Sequence, residues 1–277
     1  MTTPPNLPRY AYSNAHPTAG AQLAALAAML DPVSRQRLVG FGDLRGKRCL
    51  VVGAGGSGLP GWLADRVGPT GSVTATDIDV RHIPHHDRMT VVEHDITTGP
   101  PPGGPWDIIH ARLVLMHLAA REVVLALLAD ALTDRGVLLI EDWLLDPRRA
   151  VLAAHRAHDA DVYSRYQHAV IDILTTYGTD PDWATRIHTT MRGIGLSRVD
   201  TRIDAPVWTP GGPVMVLTEV TVAKHRDRLL AAGLTSDNLI TVESLATALN
   251  SGLVVRGHQL YSTAGRRRSP RDDASRM

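Results

Sequence analysis

Gly53-Ala54-Gly55-Gly56-Ser57-Gly58 places four glycines within six positions, directly after the apolar run Cys49-Leu50-Val51-Val52. Glycine at such a place lets the backbone turn with φ > 0 and lets a ligand approach where a Cβ would stand in the way. A helix starting beyond the turn would add unpaired N–H groups, so the chemistry on offer is the holding of a nucleotide-like cofactor near residue 53. Asp77 stands 24 residues further on. A carboxylate at the end of the following strand accepts hydrogen bonds from both hydroxyls of a ribose. These glycines and Asp77 suit a nicotinamide dinucleotide as well as a sulfonium nucleoside, and a solvated turn aspartate is the plain alternative.

Other residue types could do chemistry downstream. Glu93-His94-Asp95-Ile96 offers side-chain acceptors for an adenine amino group. His110 lies in an apolar run, and His117 stands where a base near a pocket, or a packing residue at a helix start, would be. Glu141-Asp142-Trp143 follows another apolar run, and a carboxylate there could deprotonate a hydroxyl. His117 and Asp142 are the candidate catalytic groups. His82, His85, His86 and His94 invite a metal reading, but Pro84 argues against a helix that would align them and no cysteine lies nearby, so no metal is expected. His155 and His158 could line a pocket, and Tyr10, Tyr12, Asn14, Tyr163 and Tyr166 are lid candidates. Cys49, the single cysteine, reads as a small packing residue.

The elements that must position these groups show in the hydrophobic pattern. Residues 21–38 read as a helix with a break at Asp31-Pro32. Strands are expected at 48–53, 73–77, 90–93, 107–111 and 137–141, with helices at 57–67 and 119–132. This alternation argues for a parallel sheet covered on both faces. Asp146-Pro147 reads as an N-cap and first helical position, opening a helical stretch to about residue 177. A further helix follows Asp180-Pro181, then a strand at 199–207, helices at 213–232 and 236–250, and a last strand at 254–264.

The phrases VGAGGSG at 52–58, GPTGSVTATDID at 68–79, HDI at 94–96 and WDIIHARLVLMHL at 106–118, taken in order, resemble the class I S-adenosylmethionine-dependent methyltransferases, in particular a bacterial small-molecule branch. The resemblance is strong over residues 45–145 and weaker over 185–208 and 254–267. It implies that Gly53, Ala54 and Gly55 pass under the methionine part of S-adenosylmethionine, that Asp77 holds the ribose and that Ile78 packs on the adenine. It further implies that Asp95 and Ile96 meet the adenine edge, that His110 and Ala111 lie beside the methionine amino group mainly through backbone, and that Arg112 faces the mouth. The family usually carries Glu or Asp two residues before the first glycine, where this chain has Val51.

The expected fold is therefore a Rossmann-like, mostly parallel seven-stranded α/β sheet with helices on both faces and an N-terminal and inserted helical cap. A single domain is expected: a lid at 1–44, a cofactor-binding half at 45–145, a helical insertion at 146–193, C-terminal strands and helices at 194–265 and a basic tail at 266–277. Net charge is +1, so no overall field recruits nucleic acid. No apolar run reaches the roughly 20 residues of a membrane span, and the first residues lack a secretory pattern, which fits a cytoplasmic protein. The expected partner is a small-molecule acceptor, methylated at O, N or C; a homodimer is compatible with the sequence. The alternatives are an NAD(P)-dependent oxidoreductase, for which no Tyr-x-x-x-Lys is found at Tyr163 or Tyr166, and a non-catalytic S-adenosylmethionine-binding homologue, which Val51 motivates.

Overall fold

The computed structural model describes residues 14–268. β1 (Arg48–Val52), β2 (Ser72–Asp77), β3 (Met89–Glu93), β4 (Trp106–Arg112) and β5 (Leu132–Leu144) lie parallel. β7 (Ser197–Asp204) and β10 (Gln259–Arg266) complete seven strands in the order β3-β2-β1-β4-β5-β10-β7, with β10 antiparallel to both neighbours. Central strands β1 and β4 are buried on both faces, which is why their sequences run apolar without alternating. The helices α2 (Leu59–Val67), α3 (Arg121–Asp130) and α5 (Trp183–Gly193) cover the faces.

α1 (Ala19–Val39) runs unbroken through Pro32, against the expected break. Pro32 is exposed, and residues on both sides of it are pinned: Asp31, Ser34 and Arg37 are buried and hydrogen-bonded to groups of the sheet and its loops. Those tertiary bonds outweigh the one backbone bond a proline removes.

The expected helix from Asp146 does not form there. Asp146 Oδ1 accepts the Arg148 N–H in a turn, Arg149 has φ +54, and β6 (Val151–Ala153) then pairs with β9 (Val254–Arg256). The helix, α4 (Ala157–Thr176), starts ten residues late. A single strand over 254–264 is also corrected. The chain breaks at Gly257, whose N–H donates to Pro206 O, so that β9 joins a small sheet and β10 the main one. That small sheet, β6-β9-β8 with β8 (Val207–Trp208), was not foreseen; strands of two or three residues carry no period to read. It packs with α4, α6 (Pro213–Ala231) and α7 (Ser236–Thr247) around a second apolar core holding Val162, Tyr163, Met215 and Leu239. Among the described residues no helix is long and apolar enough to cross a membrane.

Candidate functional site

The turn after β1 is built as its glycines require. Gly53 has φ +64 and Gly55 φ +55. A Cβ on Gly53 would lie 2.2 Å from Val114 Cγ2, so glycine is needed for space as well as for conformation. The Ala54 N–H donates to Thr76 O and the Gly55 N–H donates to Asp77 Oδ2 at 2.9 Å. Asp77 Oδ1 accepts from Asp79 N–H at 3.1 Å. Burial pushes the Asp77 carboxyl above its ordinary range, against the pull of those amides.

The far end of the turn is fixed by an acid that sequence reading missed. Asp31 accepts from Ser57 Oγ at 2.8 Å and from the Gly58 N–H at 3.1 Å. It also pairs with Arg112 at 2.8 Å, both side chains less than a tenth exposed. The available signal was three polar residues, Asp31, Ser34 and Arg37, at the three-residue spacing that places them along one side of a helix.

A cavity of about 800 Å³ opens over the carboxyl ends of β1, β2 and β4. Gly53, Ala54, Gly55, Asp77, Ile78, Asp95, Ile96 and His110 all line it, as do Asn14, Val51, Arg112 and His117. Ile78 is 55% exposed at its rim, an apolar surface a planar base could cover. Asp95 Oδ1 accepts from the Thr97 N–H and hydroxyl at 2.9 and 2.6 Å, which fixes the loop after β3. Ala111 does not line the cavity. It is fully buried in the core beneath it, because its side chain takes the opposite face of β4 from His110.

His110 sits across the β1–β4 ladder from Val51. Its Nε2 lies 2.9 Å from Glu141 Oε2. Glu141 also accepts from Ser262 Oγ at 2.7 Å and from Ser34 Oγ, and Arg37 Nε donates to Ser262. Burial alone would raise the Glu141 carboxyl, but the hydrogen bonds from His110, Ser34 and Ser262 outweigh it and hold it down at about 2. An ionised carboxylate only accepts, so the His110 hydrogen belongs on Nε2. Nδ1 has no hydrogen-bond partner among the described residues although His110 is only 2% exposed.

The two catalytic candidates separate. His117 lines the large cavity and a second one of about 130 Å³, and its Nδ1 is 2.8 Å from Thr179 Oγ1. Asp142 reaches neither cavity: it is fully buried, accepting the Val114 and Met116 N–H groups at 3.2 Å. Neighbouring residues on a strand point to opposite faces, and Asp142 secures the loop after β4 from below. His155 and His158 are exposed and line neither cavity; Tyr163 and Tyr166 line the smaller one. Tyr10 and Tyr12 lie outside the described residues. His82 Nε2 is 2.9 Å from Asn14 O, His86 pairs with Asp65, and no group of three or more His, Cys, Asp or Glu converges among the described residues. Burial pushes the Cys49 thiol up to about 12, leaving it inert at neutral pH.

A methyltransferase-domain family model matches residues 25–191, more than half of the chain. The chain belongs to that methyltransferase family. The match extends from within α1, through the glycine turn and most of the cavity lining, into α5. Among solved structures, a methyltransferase-like protein of Bacillus halodurans C-125 is similar at 14% identity and TM-score 0.51, covering 84% of this chain and 98% of that one. Phosphoethanolamine N-methyltransferase 2 of Haemonchus contortus is similar at 11% identity and TM-score 0.56 over 96% of this chain and 61% of that one. A cyclopropane-fatty-acyl-phospholipid synthase-like protein of Lactobacillus casei ATCC 334 is similar at 17% identity and TM-score 0.51 over 92% and 93%. At these identities the likeness is one of fold. No curated protein sequence matches the chain. The methyltransferase is an enzyme whose cofactor is S-adenosylmethionine.

The buried titratable groups set a stability window for this methyltransferase. Burial pushes His117 and His258 down from 6.5 to about 4, so each contributes stability above about pH 6.5 that is lost as pH falls through 4. Burial pushes Asp142 up from 3.8 to about 7, so its contribution is present below pH 3.8 and lost as pH rises through 7. Between pH 4 and 6.5 the two histidines outweigh the one aspartate, so the melting temperature is expected to rise with pH over that range and to level off by about pH 7. Thermal unfolding from pH 4 to 9 checks this, and Asp142→Asn should steepen the rise between pH 4 and 7 by removing the one opposing group. A flat profile in the parent would contradict both assignments.

Proposed function

We propose that the large cavity holds S-adenosylmethionine through Gly53, Ala54, Gly55, Asp77, Ile78, Asp95, Ile96 and His110, and that the methyl group passes to a small-molecule acceptor. The observation carrying this is the spacing of polar residues around one cavity: Asp77 at the end of β2, Asp95 after β3, and His110 on β4, which lines the cavity although its Nδ1 is buried. These answer the donors of the cofactor in turn, its ribose diol, adenine amino group and ammonium, while Ile78 offers the adenine an apolar face. The His110–Glu141 pair takes the place of the acid missing at Val51, the ionised Glu141 carboxylate behind the ring supplying the negative charge. On this reading Val51 does not mark a non-catalytic homologue.

When bound, S-adenosylmethionine supplies an activated methyl group and a sulfur that keeps the electron pair of the broken C–S bond. The protein's share is alignment and the exclusion of water. His117, facing both cavities, is placed to take the acceptor's proton as the new bond to carbon forms; its burial keeps it neutral at pH 7. His117→Ala is expected to lower kcat by about 10²–10⁴-fold, the usual share of a general base. Steady-state transfer of a tritiated methyl group measures it, and a kcat within about threefold of the parent would remove His117 from this role. The proposed reading as a whole is tested by the same assay over candidate acceptors. Binding of S-adenosylhomocysteine with no transfer to any acceptor would return the chain to the status of a binding protein.

A further inference from the structure

The second cavity lies beside the first, with Leu26, Leu113 and His117 lining both. Its other walls come from α1, α4, α6, β8 and the end of β5, the parts that make this fold's cap. Among the described residues it is lined by no Asp, Glu, Lys or Arg, although 21% of the chain is charged. Trp143, Trp208 and His258 form one aromatic corner, with ring centroids 5.2 to 6.4 Å apart. The polar groups are neutral and mostly engaged with one another: Tyr163 Oη lies 3.2 Å from Thr218 Oγ1, and Tyr166 Oη donates to Thr218 O. Its two histidines are held neutral by burial.

Such a chamber selects by charge. A phosphate, carboxylate or ammonium entering it would give up its water and meet no opposite charge, a cost of several kcal/mol. An uncharged ring system loses little and gains the aromatic corner. We infer that the second cavity is the acceptor site and that it takes an uncharged, ring-bearing, largely apolar molecule, its nucleophilic atom at the neck beside His117. This rests on the cofactor reading above for what the neighbouring cavity holds, but the charge selection belongs to the chamber itself.

The test uses 2-naphthol as a neutral two-ring probe and phosphoethanolamine as a charged one. Each is titrated into the full chain with and without S-adenosylhomocysteine, reading quenching of tryptophan fluorescence, with calorimetry for the nucleoside. Naphthol is expected to quench saturably and phosphoethanolamine to have no effect. Val170→Arg, which brings a cation to the wall, should weaken naphthol by about tenfold or more. If that variant fails to fold, Leu217→Phe, which fills the chamber with apolar atoms, should do the same with an unchanged melting curve. Absence of quenching, competition by phosphoethanolamine, or full naphthol affinity in a folded chamber variant would overturn the inference. Naphthol binding with no response to S-adenosylhomocysteine would support the chamber and overturn the cofactor reading instead.

Discussion

Replacing Asp31 by alanine is expected to destabilise the methyltransferase by about 3–5 kcal/mol, the cost of leaving one member of a buried ion pair alone. Arg112 would keep its charge among side chains that screen it poorly, with only the Ser34 hydroxyl at 2.8 Å and the more distant Ser57 hydroxyl left as acceptors. The same change frees Ser57 Oγ and the Gly58 N–H, so the turn that must lie flat under a ligand loses its far anchor. Affinity for S-adenosylhomocysteine should therefore fall with stability, by about tenfold for each 1.4 kcal/mol of turn ordering lost. Asp31→Asn keeps an acceptor for the turn but not the charge, and should recover part of the affinity and less of the stability. Urea unfolding and calorimetry of both variants check this. A stability change below about 1 kcal/mol in Asp31→Ala would show that the pair is worth no more than a surface salt bridge.

Asp77→Ala should act differently. Asp77 accepts one backbone amide from its own turn, Asp79, and one from the glycine turn, Gly55, and no charged side chain depends on it for a salt bridge among the described residues. Its burial already opposes the charged state, so removing it costs the fold little. The expected loss is in binding, about 1.5–3 kcal/mol, the scale for hydrogen bonds to a charged acceptor, or about 10- to 150-fold in the dissociation constant for S-adenosylhomocysteine. Calorimetry measures this directly, with a denaturant melt as the control. Unchanged affinity would remove the ribose from β2, whereas a melting temperature that falls as far as in Asp31→Ala would make Asp77 a structural residue.

The difference between these two acids shows where sequence reading works. Asp77 is found from its own strand: the apolar run of β2 points at it, and its distance from Gly53 is the length of one strand–helix–strand unit. Asp31 acts on Arg112, 81 positions away, across a packing of α1 on the sheet that no local pattern encodes. The strands β1 and β4 were legible because burial on both faces leaves their middles apolar, at Cys49–Val52 and Ile108–Ile109. Asp142 was misread for a related reason. Once both faces of β5 are covered, Glu141 and Asp142 are equally buried, and the pattern does not say which of them faces a cavity. The helix expected at Asp146 failed because an aspartate before proline serves a turn as well as a helix cap, and the left-handed Arg149 with its β6–β9 pairing decided for the turn. The sheet register, which sets His110 beside Val51 and Glu141 behind it, is what suggested the stand-in proposed above for the acid missing at Val51.

The claim beneath all of this is that the turn after β1 holds a sulfonium nucleoside. Calorimetric titration of the full chain with S-adenosylhomocysteine, and separately with NADH, tests it most directly. The prediction is one saturable site for S-adenosylhomocysteine, weakened in Asp77→Ala, and no heat from NADH. Saturable binding of NADH with none of S-adenosylhomocysteine would contradict it.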